Sequence, residues 1–177
     1  LHLCDRNLEL IKDEDITTHN LLLEVLLAAQ HEGKSLVEKH VEHKISNPHS
    51  NICIALARSF ADLGDIIRGK DLFLGDQQEK AKLENNLKRI FRKLQESLDT
   101  TIKSQYDDND GNFYELREDW WALNRKEVWK AITCKAPKDQ SYSKTRVYGT
   151  TGVSHGQCGH EDQYVPTYLD YVPQFLR

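Results

Sequence analysis

Apolar positions recur at steps of three and four through four stretches of the chain, and each stretch reads as an amphipathic helix. From Thr17 to His43 the stripe is Leu22, Val25, Leu26, Ala29, Leu36 and Val37, with Thr17 or Thr18 placed to cap its start. Asn47-Pro48 breaks the pattern, because proline disfavours helix in the residue before it and has no N–H of its own. Ser50 is expected to cap a second helix, whose stripe of Ile52, Cys53, Leu56, Phe60, Leu63, Ile66 and Ile67 opposes Arg58, Asp62, Asp65 and Arg68. That helix should end near Gly69. Beyond a linker around Gly75, the cleanest periodicity predicts a third helix of about 25 residues through Leu83, Leu87, Ile90, Phe91, Leu94, Leu98 and Ile102. Asp107 to Asn112 (DDNDGN) reads as a turn, and a fourth helix follows from Glu115 to Ile132. After Pro137 the chain turns to Ser, Thr, Gly, Tyr and His with weak periodicity, predicting a long irregular segment with one short helix near Tyr168 to Arg177.

The length of 177 residues, 38% apolar and 29% charged, with a mean hydropathy of -0.67, is that of a globular chain. Lys and Arg number 24 against 28 Asp and Glu, a net charge of -4, so nothing global points to nucleic acid or an anionic membrane, and any basic site must be local. The longest apolar stretch, Leu21 to Ala29, is interrupted by Glu24 and falls far short of the roughly 20 residues a membrane span needs. The chain contains no Met and shows no leader, so it reads as a segment whose targeting signals lie elsewhere. No Asn-x-Ser/Thr sequon occurs.

Several groupings invite a chemical reading. Aligning Gly111 with the sixth position of a calcium loop puts Tyr106 first and Arg117 twelfth, where carboxylates are required, so Asp108 and Asp110 fit a helix-linking turn better. His155, Cys158 and His160 have zinc-ligating atoms, but their spacing is not a standard one and no fourth ligand presents itself; a disulfide loop is the plainer account, and no metal or cofactor is expected. No nucleophile elbow, phosphate-binding loop, His-Glu-x-x-His or dinucleotide fingerprint is present, and no enzyme activity is expected. Trp120, Trp121 and Trp129 share one helix and are expected to fill a core.

The third helix is locally basic. From Lys80 to Lys103 seven Lys or Arg face three acids, a net of +4. Lys82, Arg89 and Lys93 fall near one line, with Lys88 and Arg92 in the adjoining row, and such a face can hold a sulfated or phosphorylated polyanion. The bland counterpart is a solvated helix face. The four cysteines, Cys4, Cys53, Cys134 and Cys158, allow three pairings. Cys53 and Cys134 would meet if the second and fourth helices pack together, either as a disulfide closing a loop of about 80 residues or as two buried thiols.

Three runs carry a resemblance: Arg58 to Gly69 (RSFADLGDIIRG), Leu116 to Pro137 (LREDWWALNRKEVWKAITCKAP) and Val165 to Arg177 (VPTYLDYVPQFLR). With CDRNLE at Cys4 to Glu9 and SHGQCGH at Ser154 to His160, they resemble the Duffy-binding-like domain, in its alpha class, of the falciparum malaria variant erythrocyte membrane protein family. The resemblance spans nearly the whole chain and implies an all-α fold: a helical bundle core over 17–135, with 136–177 as a loop-rich segment leading toward the next subdomain of a partial domain. It also implies a host-cell receptor-binding adhesion domain of a variant surface antigen, displayed on the infected erythrocyte as the extracellular part of a membrane-anchored virulence protein. The partner would be an erythrocyte receptor or a sulfated or blood-group glycan, with rosetting as a consequence; nucleic acid is not expected. Lys82, Lys88, Arg89, Arg92 and Lys93 are then the candidate glycan contacts. A scaffold or antigenic decoy, with receptor contacts outside this segment, is the competing reading. The family pattern pairs Cys53 with Cys134 and puts the partners of Cys4 and Cys158 outside the chain. Asp62, Asp65, Arg117, Glu118, Asp119 and Arg125 belong to the shared framework and are expected as helix-packing ion pairs first.

Overall fold

A computed structural model of the chain describes residues 17–46, 50–72, 75–107, 109–145 and 151–177. The all-α expectation holds. The long helices are α1 (Thr18–Ser46), α2 (Ile52–Arg68) and α3 (Gln77–Ser97); after the single-turn α4 (Thr100–Lys103) comes α5 (Tyr114–Thr133). Between the helices and the C-terminus lies a two-stranded antiparallel ladder, β1 (Ser143–Thr145) with β2 (Thr151–Val153), in which Ser143 faces Val153. Among the described residues no helix is long and apolar enough to cross a membrane.

Helix ends follow local chemistry. The Thr17 hydroxyl accepts the Asn20 N–H at 3.1 Å, the N-terminal cap its sequence predicts. At the start of α2 the cap is Asn51, not Ser50: the Asn51 Oδ1 accepts the Cys53 N–H at 2.8 Å. Asn and Ser rank alike as caps, so composition could not choose between adjacent candidates. The third helix is shorter than its apolar repeat suggests. It stops at Leu98, whose backbone is extended, because Asp99 caps α4 by accepting the Thr101 N–H at 3.1 Å. Ile102 consequently leaves the apolar stripe and is exposed.

The buried stripe of α1 keeps Val25 and Ala29 of the expected one but takes Leu21 in place of Leu22. Leu21, Val25 and Ala29 are buried, whereas Leu22, Leu26, Leu36 and Val37 are only half-buried. The α2 stripe is buried as expected except for Ile66, and its opposite side is less polar in practice than in composition: Arg58 is exposed, but Asp65 and Arg68 are buried as a pair.

The chain divides into two compact units that interleave in sequence, one of residues 1–25 and 64–124, the other of 26–63 and 125–177. The boundaries between these units fall within α1, α2 and α5. In the first unit Leu87, Ile90, Phe91 and Leu94 of α3 join Trp120 and Trp121 of α5 in the core, with Phe91 and Trp120 edge to face at 6.2 Å. Gly64 makes room for an indole, since a Cβ there would come within 2.8 Å of the Trp121 ring. In the second unit Leu56 and Phe60 of α2 pack with Val128, Trp129 and Ile132 of α5, and the Phe60 and Trp129 rings meet edge to face at 5.2 Å. All three tryptophans fill cores, as expected.

The C-terminal segment is part of the second unit's packing. Arg125 of α5 grips Asp170 through both carboxylate oxygens at 2.8 Å and donates to the Thr167 carbonyl at 2.9 Å. Where one short helix was expected, the chain makes two single 3-10 turns, Leu169–Tyr171 and Gln174–Leu176. Pro173 between them has no N–H with which to continue a helix.

The disulfide expectation is corrected. Cys53 is bonded to Cys158, with Cα atoms 5.4 Å apart, and Cys134 is a half-buried free thiol accepting from Gln30 Nε2 at 3.6 Å. Cys158 therefore has its partner within the chain, while Cys4 lies outside the described residues. The cause is the placement of the turn around Cys158: its N–H donates to the Gln140 carbonyl at 2.8 Å, and its carbonyl accepts the Trp129 indole N–H at 3.2 Å. These bonds dock the turn on the second unit, whereas Cys134, one residue beyond α5, faces α1. The spacing of helices carries no information about where an irregular segment folds back.

Candidate functional site

The candidate cations all sit on α3. Asp76 caps that helix by accepting the Gln78 and Glu79 N–H groups at 2.9 and 3.2 Å, and the buried stripe fixes which side faces solvent. Lys82 and Arg92 are exposed, while Lys88, Arg89 and Lys93 are half-buried. All five therefore belong to one helix at its solvent boundary. Lys93 has an exposed neighbour, Glu96, at 3.4 Å, and Lys82 and Arg89 hold local interactions of their own. Among the described residues neither Lys88 nor Arg92 has an acidic partner.

The electrostatics of this face depend on Glu84, the one acid in the middle of the basic run. Its carboxylate is turned inward onto Arg117, with Nη1–Oε1 at 2.7 Å and Nη2–Oε2 at 2.9 Å, a two-bonded fork. Arg117 is fully buried, and its remaining N–H groups donate to the carbonyls of Ile66, Ile67 and Asn112 at 3.1, 2.6 and 3.3 Å. Two of those carbonyls belong to the last turn of α2, where the helix itself supplies no donors. Arg117 thus ends α2, anchors α3 and removes the carboxylate that would otherwise neutralise Lys88 and its neighbours.

Of the six framework residues, Asp65, Arg117 and Glu118 form ion pairs of helix residues as expected, Asp62 and Arg125 pair instead with the C-terminal segment, and Asp119 accepts from a tyrosine. Arg68, also buried, donates to Asp65 and Glu118 at 3.1 Å each and to the Gly64 carbonyl at 2.9 Å; Lys70 adds a bond to Glu118. Partial burial pushes the Glu118 carboxyl upward, but the hydrogen bonds and charges of Lys70 and Arg68 outweigh it and hold Glu118 below the ordinary carboxylate value. Arg125 pairs with Asp170, and Asp62 pairs with Arg177 at 3.0 Å. Asp119 accepts the Tyr106 hydroxyl at 2.7 Å, and this bond, with the nearby carboxylate charges, raises the tyrosine's pKa.

The other groupings resolve into structural contacts. Cys158 is consumed by its disulfide; His155 Nδ1 sits 2.7 Å from Asp162, and His160 Nδ1 lies 3.0 Å from the Thr133 hydroxyl. The turn over 109–113 carries positive φ at Gly111 and Phe113, and Asp108 lies outside the described residues. No group of three His, Cys, Asp or Glu suited to a metal occurs among the described residues. Sequence reasoning missed Glu84 and Tyr114 as parts of the α3 surroundings. Their signal is the shared helical row: Glu84 stands four residues before Lys88, while Tyr114 opens α5 three residues before Arg117.

The chain belongs to the Duffy binding domain family, which matches over residues 1–177. It is 44% identical to the NTS-DBL1(alpha-1) domain of membrane protein 1 (PfEMP1) from the varO strain of Plasmodium falciparum, with a TM-score of 0.86, covering 99% of this chain and 40% of that one. The NTS-DBL1-alpha and CIDR-gamma double domain of the same strain matches at the same identity and score over 25% of its length. A DBLbeta domain of a PfEMP1 solved with human ICAM-1 is 32% identical, with a TM-score of 0.70, over 98% of this chain and 36% of that one. No curated protein matches the chain. The chain thus spans about a quarter to two fifths of these solved relatives. The alpha-class resemblance agrees with the higher identity to the DBL1-alpha domains, and the family is one of adhesion domains, not enzymes.

Proposed function

We propose that this chain is the helical part of a host-cell adhesion domain that binds sulfated, heparan sulfate-like glycans on erythrocytes through Lys82, Lys88, Arg89, Arg92 and Lys93. It acts at the surface of the infected erythrocyte, as an extracellular part of a membrane-anchored variant antigen, in cytoadherence and rosetting. The observation that carries this reading is the withdrawal of Glu84 onto Arg117, which leaves the middle of the α3 face more positive than its composition implies. Arg and Lys on one face give both fork-like and point-charge contacts to sulfate.

A second reading has its own support. The motif residues of the family resemblance, among them Arg117, Trp121, Asp65 and Arg68, are buried, so the shared pattern specifies a scaffold. The solved DBLbeta relative was obtained with the protein receptor ICAM-1, so a protein partner bound elsewhere on the whole domain is the form this reading takes. Binding to immobilised heparin separates the two. The glycan reading predicts that replacing all five cations by Ala lowers affinity at least tenfold, about 1.4 kcal/mol, and flattens the dependence on salt, with the helical circular dichroism intact. Unchanged binding by that variant would remove these residues from the site.

A further inference from the structure

Lys88 also lines a cavity. In the first unit a cleft of about 180 Å3, open to solvent, is lined by Ile66, Leu83, Leu87, Tyr114 and Lys88, with Gly69 at its wall. That is below the roughly 300–1,000 Å3 of a drug-sized site and suits a single ring. Gly69, in the left-handed region at φ 71, follows the last residue of α2, and a Cβ there would come within 2.8 Å of the Tyr114 ring. The glycine therefore lets the tyrosine ring lie close to the backbone as a wall, while half of the side chain stays exposed. On its other side the Arg117 guanidinium stands 5.9 Å from the ring centre.

The charges of the cavity are unevenly committed. Lys80 donates to the Asp71 carbonyl at 2.7 Å and stands 3.9 Å from the Asp71 carboxylate, and Glu84 is held by Arg117. Lys88 is left as the cavity cation with no acidic partner among the described residues. An aromatic wall, two leucines and one available ammonium group match a pyranose ring that carries an anion: the C–H face of the ring packs on tyrosine, and the anion bonds the lysine.

Resting on the glycan reading above, we infer that this cavity is the subsite for one acidic sugar residue of the sulfated glycan. The ring packs on Tyr114 and Leu83, its sulfate or carboxylate is held by Lys88, and the rest of the glycan runs along α3 past Arg92. Lys88 and Tyr114 then determine specificity for short glycans, whereas the remaining cations supply general attraction to long ones.

The test compares a heparin-derived tetrasaccharide with long-chain heparin, using the whole chain and the variants Lys88→Ala, Lys82→Ala and Tyr114→Ala. Lys88→Ala should weaken the tetrasaccharide about tenfold and Lys82→Ala by less than about threefold, although each removes one charge. Tyr114→Ala should weaken it about fivefold with no change in salt dependence, since no charge is lost. In the unaltered protein the Tyr114 ring resonances should shift on titration with the tetrasaccharide, a readout independent of whether any variant folds. Equal losses for Lys88→Ala and Lys82→Ala, or unshifted Tyr114 resonances, would overturn the subsite while leaving heparin binding in place. Failure of the unaltered chain to bind long heparin would instead overturn the glycan reading itself, and the subsite with it.

Discussion

The two units solve the same problem, holding helices that carry many charges, by different means. The first unit buries Arg68 and Arg117 and satisfies them from all sides with carbonyls and carboxylates of neighbouring helices. The second contains a long segment with little regular structure, and it ties that segment down with the Cys53–Cys158 disulfide and the Arg125–Asp170 clasp. A helix-only unit can rely on periodic packing plus a few internal polar bonds. An irregular segment offers fewer apolar contacts per residue, and a covalent cross-link compensates by reducing the entropy of the unfolded chain. The difference also bears on function, because the cationic face belongs to the unit that contains no disulfide among its described residues.

The largest effect should come from the cross-link. It joins residues 105 apart, and the chain-entropy account assigns such a loop about 4–5 kcal/mol. Replacing Cys53 and Cys158 by Ser should lower the urea midpoint accordingly, and hydrogen exchange should show the amides of 151–177 losing protection before those of α3. Simultaneous loss across both units would break the comparison.

Next in size is Arg117→Ala. It leaves Glu84 and the Ile67 and Asn112 carbonyls without the donor Arg117 supplies, for about 4 kcal/mol, and Arg117→Lys should recover only part because an ammonium group cannot reproduce the fork. Denaturant titration of both variants measures this. Heparin binding should weaken with the helix intact, because Glu84 released from Arg117 would oppose Lys88; unchanged heparin binding by a folded Arg117→Ala chain would contradict the role given to Glu84.

Arg125→Ala comes third, at about 3 kcal/mol, since it strands the buried Asp170. Its effect should appear as faster exchange around Thr167 to Tyr171, with α3 unchanged.

The smallest effect is the pH response of Glu118. Its folded pKa is lowered, so the stability it contributes is present above its unfolded value of about 4.3 and is lost as pH falls through the folded value. Glu118→Gln should flatten stability against pH below that point and leave the neutral plateau less affected than Arg117→Ala does. An unchanged acid limb in this variant would show that the Lys70 and Arg68 bonds do not act on folding.

The helices were legible in the sequence because their signals are local. Thr17 caps α1, Gly69 ends α2, and the α3 stripe through Leu87, Ile90, Phe91 and Leu94 is the buried one. What local pattern could not supply was any contact made at long range. Asp65 and Arg68 read as a solvent face because helical periodicity counts polarity without knowing that Glu118 and a carbonyl wait on the other side. Leu98 read as a continuing stripe because its spacing is helical, while Asp99 ends the helix by competing as a cap. The pairing of Cys53 failed for the same reason, since Cys158 reaches it only through the fold of a segment with no period. On the site, the five cations were visible in two adjoining rows of one helix, but the turning of Glu84 away from Lys88 onto Arg117 was not.

The most direct measurement is binding of the purified, oxidised chain to uninfected erythrocytes with and without soluble heparin, once circular dichroism has confirmed its helices. The account predicts binding that heparin abolishes and that the five-alanine variant lacks. A folded chain that leaves erythrocytes uncoated, or one whose binding ignores heparin, would contradict it.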